Sequence, residues 1–210
     1  LDAGIAFGGE PLNSEAYLYN GTSWTDSGAT MGTNVRQGAG MGTQTAAGSA
    51  GGNASAGYSQ QSVFQNFDGS SWSEGPDLNT ARNGCAGAGT TTASLAFGGN
   101  TPTISATTEE FNGSSWSEQN DLPGARLYHT GGGTQTAAIS VGGITSTSSP
   151  YGVTATTFNY DGTNWTTSPG TLAQPTRSAR GTGTQTAGFL CGVSDGDPPT
   201  VLNQSYDYDG

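Results

Sequence analysis

The chain has 210 residues, 36 of them Gly, with only 31% hydrophobic and 10% charged residues. Its net charge is −11, with five arginines and no lysine. That leaves no basic stripe to neutralise a nucleic-acid backbone or to hold an anionic membrane. No run of about 18 apolar residues exists to cross a bilayer as a helix. The opening LDAGIAFGGE has no basic stretch and does not read as a secretory leader.

A composition this poor in apolar residues would suit disorder if it were not repetitive. It repeats. The first unit, about 1–32, has an apolar run ending at Gly8-Gly9, then Tyr19, an Asn-Gly pair and Trp24. The second, about 33–79, adds a Gly-rich run after Arg36, reaches Gly51-Gly52 and closes on FDGSSWSE around Trp72. The third, about 80–123, follows the same order from Arg82 through Gly98-Gly99 to FNGSSWSE and Trp116. The fourth, about 124–173, runs from Arg126 through Gly142-Gly143 to YDGTNWTT and Trp165. The fifth, about 174–210, starts near Arg177, keeps only Gly192 of the pair and has no Trp. The glycine pairs recur at intervals of 43, 47, 44 and 50 residues.

Asn-Gly or Asp-Gly between short alternating runs is a strong hairpin signal, because both central residues can take positive φ. Each full unit therefore reads as four strands: Gly-rich, apolar, one ending on the aromatic, and a short one carrying Trp. No segment shows a helical period. Counting gives three, four, four, four and three strands. An all-β chain of such units suggests blades around an axis, with the Gly-rich strand innermost, where strands converge. The aromatic and the Trp of each hairpin are close enough to pack as an anchor.

The order Arg, Gly-rich strand, apolar strand, Gly-Gly, variable stretch, aromatic, Asn-Gly or Asp-Gly, Trp resembles the kelch repeat of β-propellers along essentially the whole chain. The wording of GTQTAA with FNGSSW is similar to kelch-like repeat proteins of bacteriophages. That resemblance implies an all-β, kelch-like β-propeller of four-stranded antiparallel blades in a virion or tail fibre. Five blades are favoured, the two missing strands coming from residues beyond these 210 or from a neighbouring chain. The alternative is a four-bladed ring with an overhang.

In such a blade the second-to-third and fourth-to-first connections share one face. The second-to-third stretches differ in length and letters, whereas the other turns repeat, as in GTQT, GTTT, GTQT and GTQT. A rigid frame presenting variable loops is what recognition requires. The ligand-binding candidates are accordingly Asn53, Tyr58, Asn100 and Tyr151, the tyrosines for stacking on a sugar. Asp195 and Asp197, two acids at alternate positions, could hold calcium, although a plain turn is the commoner meaning.

Arg36, Arg82, Arg126 and Arg177 recur at the head of the Gly-rich strand. They would form either an anion-binding ring or, favoured by the recurrence, pairs with Asp26, Glu74 and Glu118 two residues after each Trp. Trp24, Trp72, Trp116 and Trp165 form the structural repeat. His129, the only histidine, lacks the partners for catalysis or metal binding. Glu109 and Glu110 are adjacent on a strand and face opposite ways. Cys85 and Cys191 are expected as separate, buried thiols.

No catalytic residue, metal or cofactor is expected. The favoured function is a non-enzymatic adhesion module, virion-borne or extracellular, that recognises a cell-surface glycan or receptor protein. The alternative is a structural spacer or filament subunit joined to other virion or filament subunits through open end strands. Neither reading involves nucleic acid or membrane insertion.

Overall fold

The structure, a computed structural model, describes residues 3–54, 59–195 and 200–208, with the backbone alone for 192, 193, 195, 200–204 and 208. Eighteen strands form five separate antiparallel sheets. The first blade holds β1 (Gly4–Phe7), β2 (Glu15–Tyr19) and β3 (Trp24–Thr30). The second holds β4 (Ala39–Thr43), β5 (Ala46–Ala50), β6 (Phe64–Phe67) and β7 (Trp72–Glu74). The third holds β8 (Ala86–Gly89), β9 (Ser94–Phe97), β10 (Thr108–Phe111) and β11 (Trp116–Gln119). The fourth holds β12 (Thr130–Thr134), β13 (Ala137–Val141), β14 (Thr157–Tyr160) and β15 (Trp165–Thr167). The fifth holds β16 (Arg180–Gly183), β17 (Gly188–Asp195) and β18 (Thr200–Tyr208). The five sheets are the blades of a β-propeller. As expected, among the described residues the first blade has no Gly-rich inner strand and the fifth no Trp-bearing outer one.

The Gly-rich strands β4, β8, β12 and β16 lie innermost and pack on one another in succession. A Cβ on Gly87 would sit 3.1 Å from that of Ala39, and one on Gly131 would sit 3.0 Å from that of Ala86. Glycine on one inner strand facing a small residue on the last is therefore a steric condition of the ring. Just before these strands the chain turns through the left-handed region at Gln37, Gly84, Tyr128 and Ser178, with φ between 57° and 60°. The turn aims the backbone around the axis. Gly84 N–H donates to Gln37 O (2.7 Å), Tyr128 N–H to Gly84 O (2.9 Å) and Ser178 N–H to Tyr128 O (2.8 Å). Three of these residues are not glycine and are the only such positive-φ positions among the described residues. The backbone cost is offset by pairing donors and acceptors that would otherwise be stranded on the axis.

Each Trp opposes its hairpin aromatic in the same register: Tyr19↔Trp24, Phe67↔Trp72, Phe111↔Trp116 and Tyr160↔Trp165. The ring centroids are 4.9–5.3 Å apart. Three of the four indoles also reach back to a ring of the preceding blade: Trp72 to Phe7, Trp116 to Phe64 and Trp165 to Phe97. The covering ring changes strand while the filled volume stays. Where β9 offers Phe97, β10 offers Thr108, whose hydroxyl accepts the Trp165 indole N–H (3.0 Å). Where β5 has only Ala50, β6 supplies Phe64. Among the described residues no blade precedes that of Trp24, so its surroundings differ from the other three. It is 53% exposed, against 5% for Trp116 and 6% for Trp165.

The repeated GTQT turn has a second use. Gln44, Gln135 and Gln185 each donate from Nε2 to the backbone oxygen of the preceding blade's hairpin aromatic, Tyr19, Phe111 and Tyr160, at 2.6 Å. Thr91 stands in this place in the third blade.

The arginines correct the sequence expectation. They do not occupy one position. Arg36 and Arg177 pair across the sheet with Asn53 and Ser194, as Asn83 and Leu127 pair with Asn100 and Ile144. Arg82 and Arg126 stand one residue earlier in the repeat, where the second and fifth blades have Val35 and Thr176. One residue along an extended chain reverses the side-chain direction. Nor do the acids after Trp pair with them. Arg82 reaches Glu109 (Nη2–Oε1 2.8 Å), both side chains fully buried, and its Nη1 donates to Gly98 O and Thr107 O. Arg36 pairs with Glu10. Arg126 lies over the Phe158 ring, 4.7 Å from its centroid.

Glu109 accepts the Asn79 and Thr80 amides as well as Arg82. Gln65, its counterpart in the second blade, accepts from Thr33 N–H. In the fourth blade the counterparts of Asn79 and Thr80 are Pro123, which has no N–H, and Gly124, and the strand residue is Phe158.

Trp116→Ala should cost about 3–5 kcal/mol in denaturant unfolding, and Trp24→Ala less than about 1 kcal/mol. Glu109→Ala should cost about 3–5 kcal/mol by stranding the buried Arg82 charge. The double change Arg82→Met with Glu109→Leu should recover most of it in the same assay.

Candidate functional site

The face carrying the second-to-third loops also carries the starts of the inner strands. There, on the axis, lies a cavity of about 220 Å³ to which every blade contributes. Its polar lining is Glu10, Arg36, Gln37, Tyr128, Ser178 and Arg180, with Cys85 and His129 beneath. The left-handed residues that carry the axial hydrogen bonds thus also wall the cavity. Two of the chain's five arginines line it. A third, Arg177, sits beside Ser178 and lies over the Tyr151 ring, 4.7 Å from its centroid. Arg82 and Arg126 are held within their blades. Three of the chain's five arginines therefore lie on this face, Arg36 being paired there with Glu10.

The expected site residues separate in the structure. Tyr151 is half-buried, in the fourth blade's loop. Ser146 N–H donates to its backbone oxygen, and its ring supports Arg177. Asn53 is fully buried rather than presented to a ligand. It is a strut between blades, its Nδ2 donating to Gln37 Oε1 (2.9 Å) and its Oδ1 accepting from Asn83 Nδ2 (2.6 Å). Asn100 is half-buried and bridges Asn83 and Ile104 through its backbone. Tyr58, Asp197 and the Asp195 side chain lie outside the described residues. Arg36, Arg82, Arg126 and Arg177 form no ring.

Arg180 and Tyr128 were not singled out in the sequence. Position 180 is small elsewhere, with Ala39, Ala86 and Thr130 as its counterparts. That departure from the repeat was the available signal.

His129 is buried, and its place explains why. Its Nε2–H donates to Phe97 O (3.2 Å), because a carbonyl can only accept, so Nδ1 accepts from Ser140 Oγ (2.8 Å). Burial holds its pKa far below the ordinary value of 6.5, at about 3, and nearby Arg126 and Arg82 add to the effect. It is a neutral structural side chain. Cys85 is buried, its Sγ donating to Ala50 O. Cys191, expected to be buried, is exposed; among the described residues no further blade packs on that face of the fifth sheet. Among the described residues no three His, Cys, Asp or Glu side chains gather as a metal cluster.

No family model and no curated protein matches the chain. Solved structures do match, among them that of YjhT, with a TM-score of 0.76 at 14% identity. The match covers 97% of this chain and 77% of that one. At this identity the likeness is one of fold.

A His that is neutral when folded and titrates near 6.5 when unfolded stabilises the fold fully above pH 6.5. That contribution falls as the pH drops toward about 3. Between pH 6.5 and 5, before most carboxylates titrate, the slope should approach about 1.4 kcal/mol per pH unit. Unfolding curves across that window should show it for the native chain and a flatter dependence for His129→Gln.

Proposed function

We propose that this propeller is a non-enzymatic binding module, kelch-like in its repeat, carried on a virion or another extracellular assembly. Its loop face recognises a cell-surface glycan or receptor protein. The observation that carries this reading is the asymmetry between the two faces. One is made of repeated turns whose glutamines lock blade to blade. The other gathers unequal loops, the axial cavity and three of five arginines. Loops free to differ on a frame that cannot are suited to selective contact.

Tyr151 with Arg177 is the contact pair on this reading. An aromatic ring backed by a guanidinium offers a sugar one flat face and a fork of donors. Tyr58, in the second blade's loop, is its partner from the sequence. The cavity volume suits the end group of a ligand rather than a whole oligosaccharide.

Binding of the labelled chain to a glycan array and to intact bacterial cells tests the reading. Tyr151→Ala should weaken any captured interaction about three- to tenfold, and adding Tyr58→Ala should weaken it further. Full retention in the double variant overturns the site. Absence of capture on both surfaces overturns the function.

A further inference from the structure

Asn-Gly occurs three times in the chain, at Asn20-Gly21, Asn83-Gly84 and Asn112-Gly113. In this dipeptide no side chain on the second residue shields its backbone nitrogen, which can attack the asparagine side-chain carbonyl. The structure puts the three pairs in two different settings.

Asn20 and Asn112 open the Trp hairpins of the first and third blades, where the second and fourth have Asp68 and Asp161. All four side chains are exposed. The four turns share one backbone, with φ between 92° and 98° at Gly21, Gly69, Gly113 and Gly162. In each, Oδ1 accepts the backbone N–H groups two and three residues on. Thr22 and Ser23 donate to Asn20 at 3.0 and 2.9 Å, and Ser114 and Ser115 to Asn112 at 2.9 and 3.0 Å. Ser70 and Ser71 donate to Asp68 at 2.9 and 2.8 Å, and Thr163 and Asn164 to Asp161 at 2.8 and 2.7 Å. The Ser71 and Ser70 amides hold the Asp68 pKa down at about 2, and those of Asn164 and Thr163 lower that of Asp161. This pair of amides therefore favours negative charge on Oδ1, and the same turn already carries an acid in two blades.

Asn83 differs in every respect. It is buried, and its Nδ2 donates to Asn53 Oδ1 (2.6 Å) within the strut between blades. Replacing that nitrogen by oxygen would set two acceptors against each other. The Gly84 N–H is itself committed to Gln37 O (2.7 Å).

We propose that Asn20 and Asn112 are deamidation sites, converted in the folded protein to the aspartate that their sister turns already carry, and that Asn83 is spared. The glycine nitrogen bonds to Cγ and gives up its proton to solvent. Negative charge develops on Oδ1, where the two amides meet it. The Cγ–Nδ2 bond then breaks, and the nitrogen takes a proton and leaves as ammonia. Water, the one co-reactant, adds to Cγ of the resulting cyclic imide, again with charge on the held oxygen. The bond from Cγ to the glycine nitrogen breaks, the nitrogen regains its proton, and a side-chain carboxylate remains. Activation of Cγ steers the opening to ordinary aspartate. Isoaspartate would lengthen the backbone inside the hairpin and disturb the Tyr19↔Trp24 and Phe111↔Trp116 register. Each conversion adds one negative charge beside the repeated turns at Thr92 and its counterparts, on the face opposite the variable loops. The proposal is therefore independent of the glycan reading.

Incubation of the folded 210-residue chain at mildly alkaline pH tests it, followed by isoelectric focusing and peptide mass mapping. Two successive acidic steps should appear. Amide-to-acid conversion should be found at Asn20 and Asn112, about tenfold or more ahead of Asn83, with isoaspartate the minor product. Asn20→Gln with Asn112→Gln should remove both steps. Asn20→Asp with Asn112→Asp should focus from the outset where the aged chain ends and keep the native fold. In denaturant Asn83 should lose its protection. Conversion of Asn83 as fast as the other two in the folded chain overturns the proposal. So does isoaspartate as the main product, or hairpin asparagines that convert only when the chain is unfolded.

Discussion

Several sheets can share an axis only if their inner edges are thin. Ala39 against Gly87, Ala86 against Gly131 and Thr130 against Gly181 set how closely neighbouring blades approach. The left-handed turns at Gln37, Gly84, Tyr128 and Ser178 follow from the same crowding. With no room for side chains to satisfy the axial backbone, the backbone satisfies itself from blade to blade. What lies further out is a consequence. Glutamines bind the neighbouring blade on one face, and aromatic rings fill the wedge that opens with distance from the axis, while the loops of the other face differ in length and sequence outside a few struts such as Asn53.

The stability of such an arrangement resides in contacts between neighbours as much as within blades. A β-sheet of three or four short strands buries little by itself. The indoles show the difference directly. Trp116 and Trp165 are covered because a blade precedes theirs, whereas Trp24, with the same hairpin and the same register, is not. The buried Arg82–Glu109 pair belongs to this economy too. Glu109 gathers two backbone amides and a guanidinium from the linker that enters its own blade, so the pair fixes where that blade begins.

The strand count, the position of the Gly-rich strands and the Trp hairpins were legible from spacing, because each is dictated by local chemistry. An Asn-Gly turn needs positive φ, and a converging strand needs glycine. The partners of the arginines were not legible. Aligning Arg36 with Arg82 looks natural by letter, yet the two stand one residue apart in the ladder and point to opposite sides. Asn53 read as a loop residue because its neighbours are loop-like, although its amide ties Gln37 to Asn83 across a blade boundary. The axial cavity was hidden for a related reason. Its walls come from five places in the chain, each contributing two or three residues, and no single stretch announces it.

The migrating ring that covers each indole carries an evolutionary consequence. Phe64 serves from the third strand where Phe97 serves from the second, and the seam closes either way. Selection therefore acts on the filled wedge and not on any one letter, so a substitution at one of these sites can be rescued by a change on the adjacent strand. Units that meet through so forgiving a joint can be duplicated or lost by recombination without inventing a new contact, and the number of repeats becomes the easiest property of the gene to change.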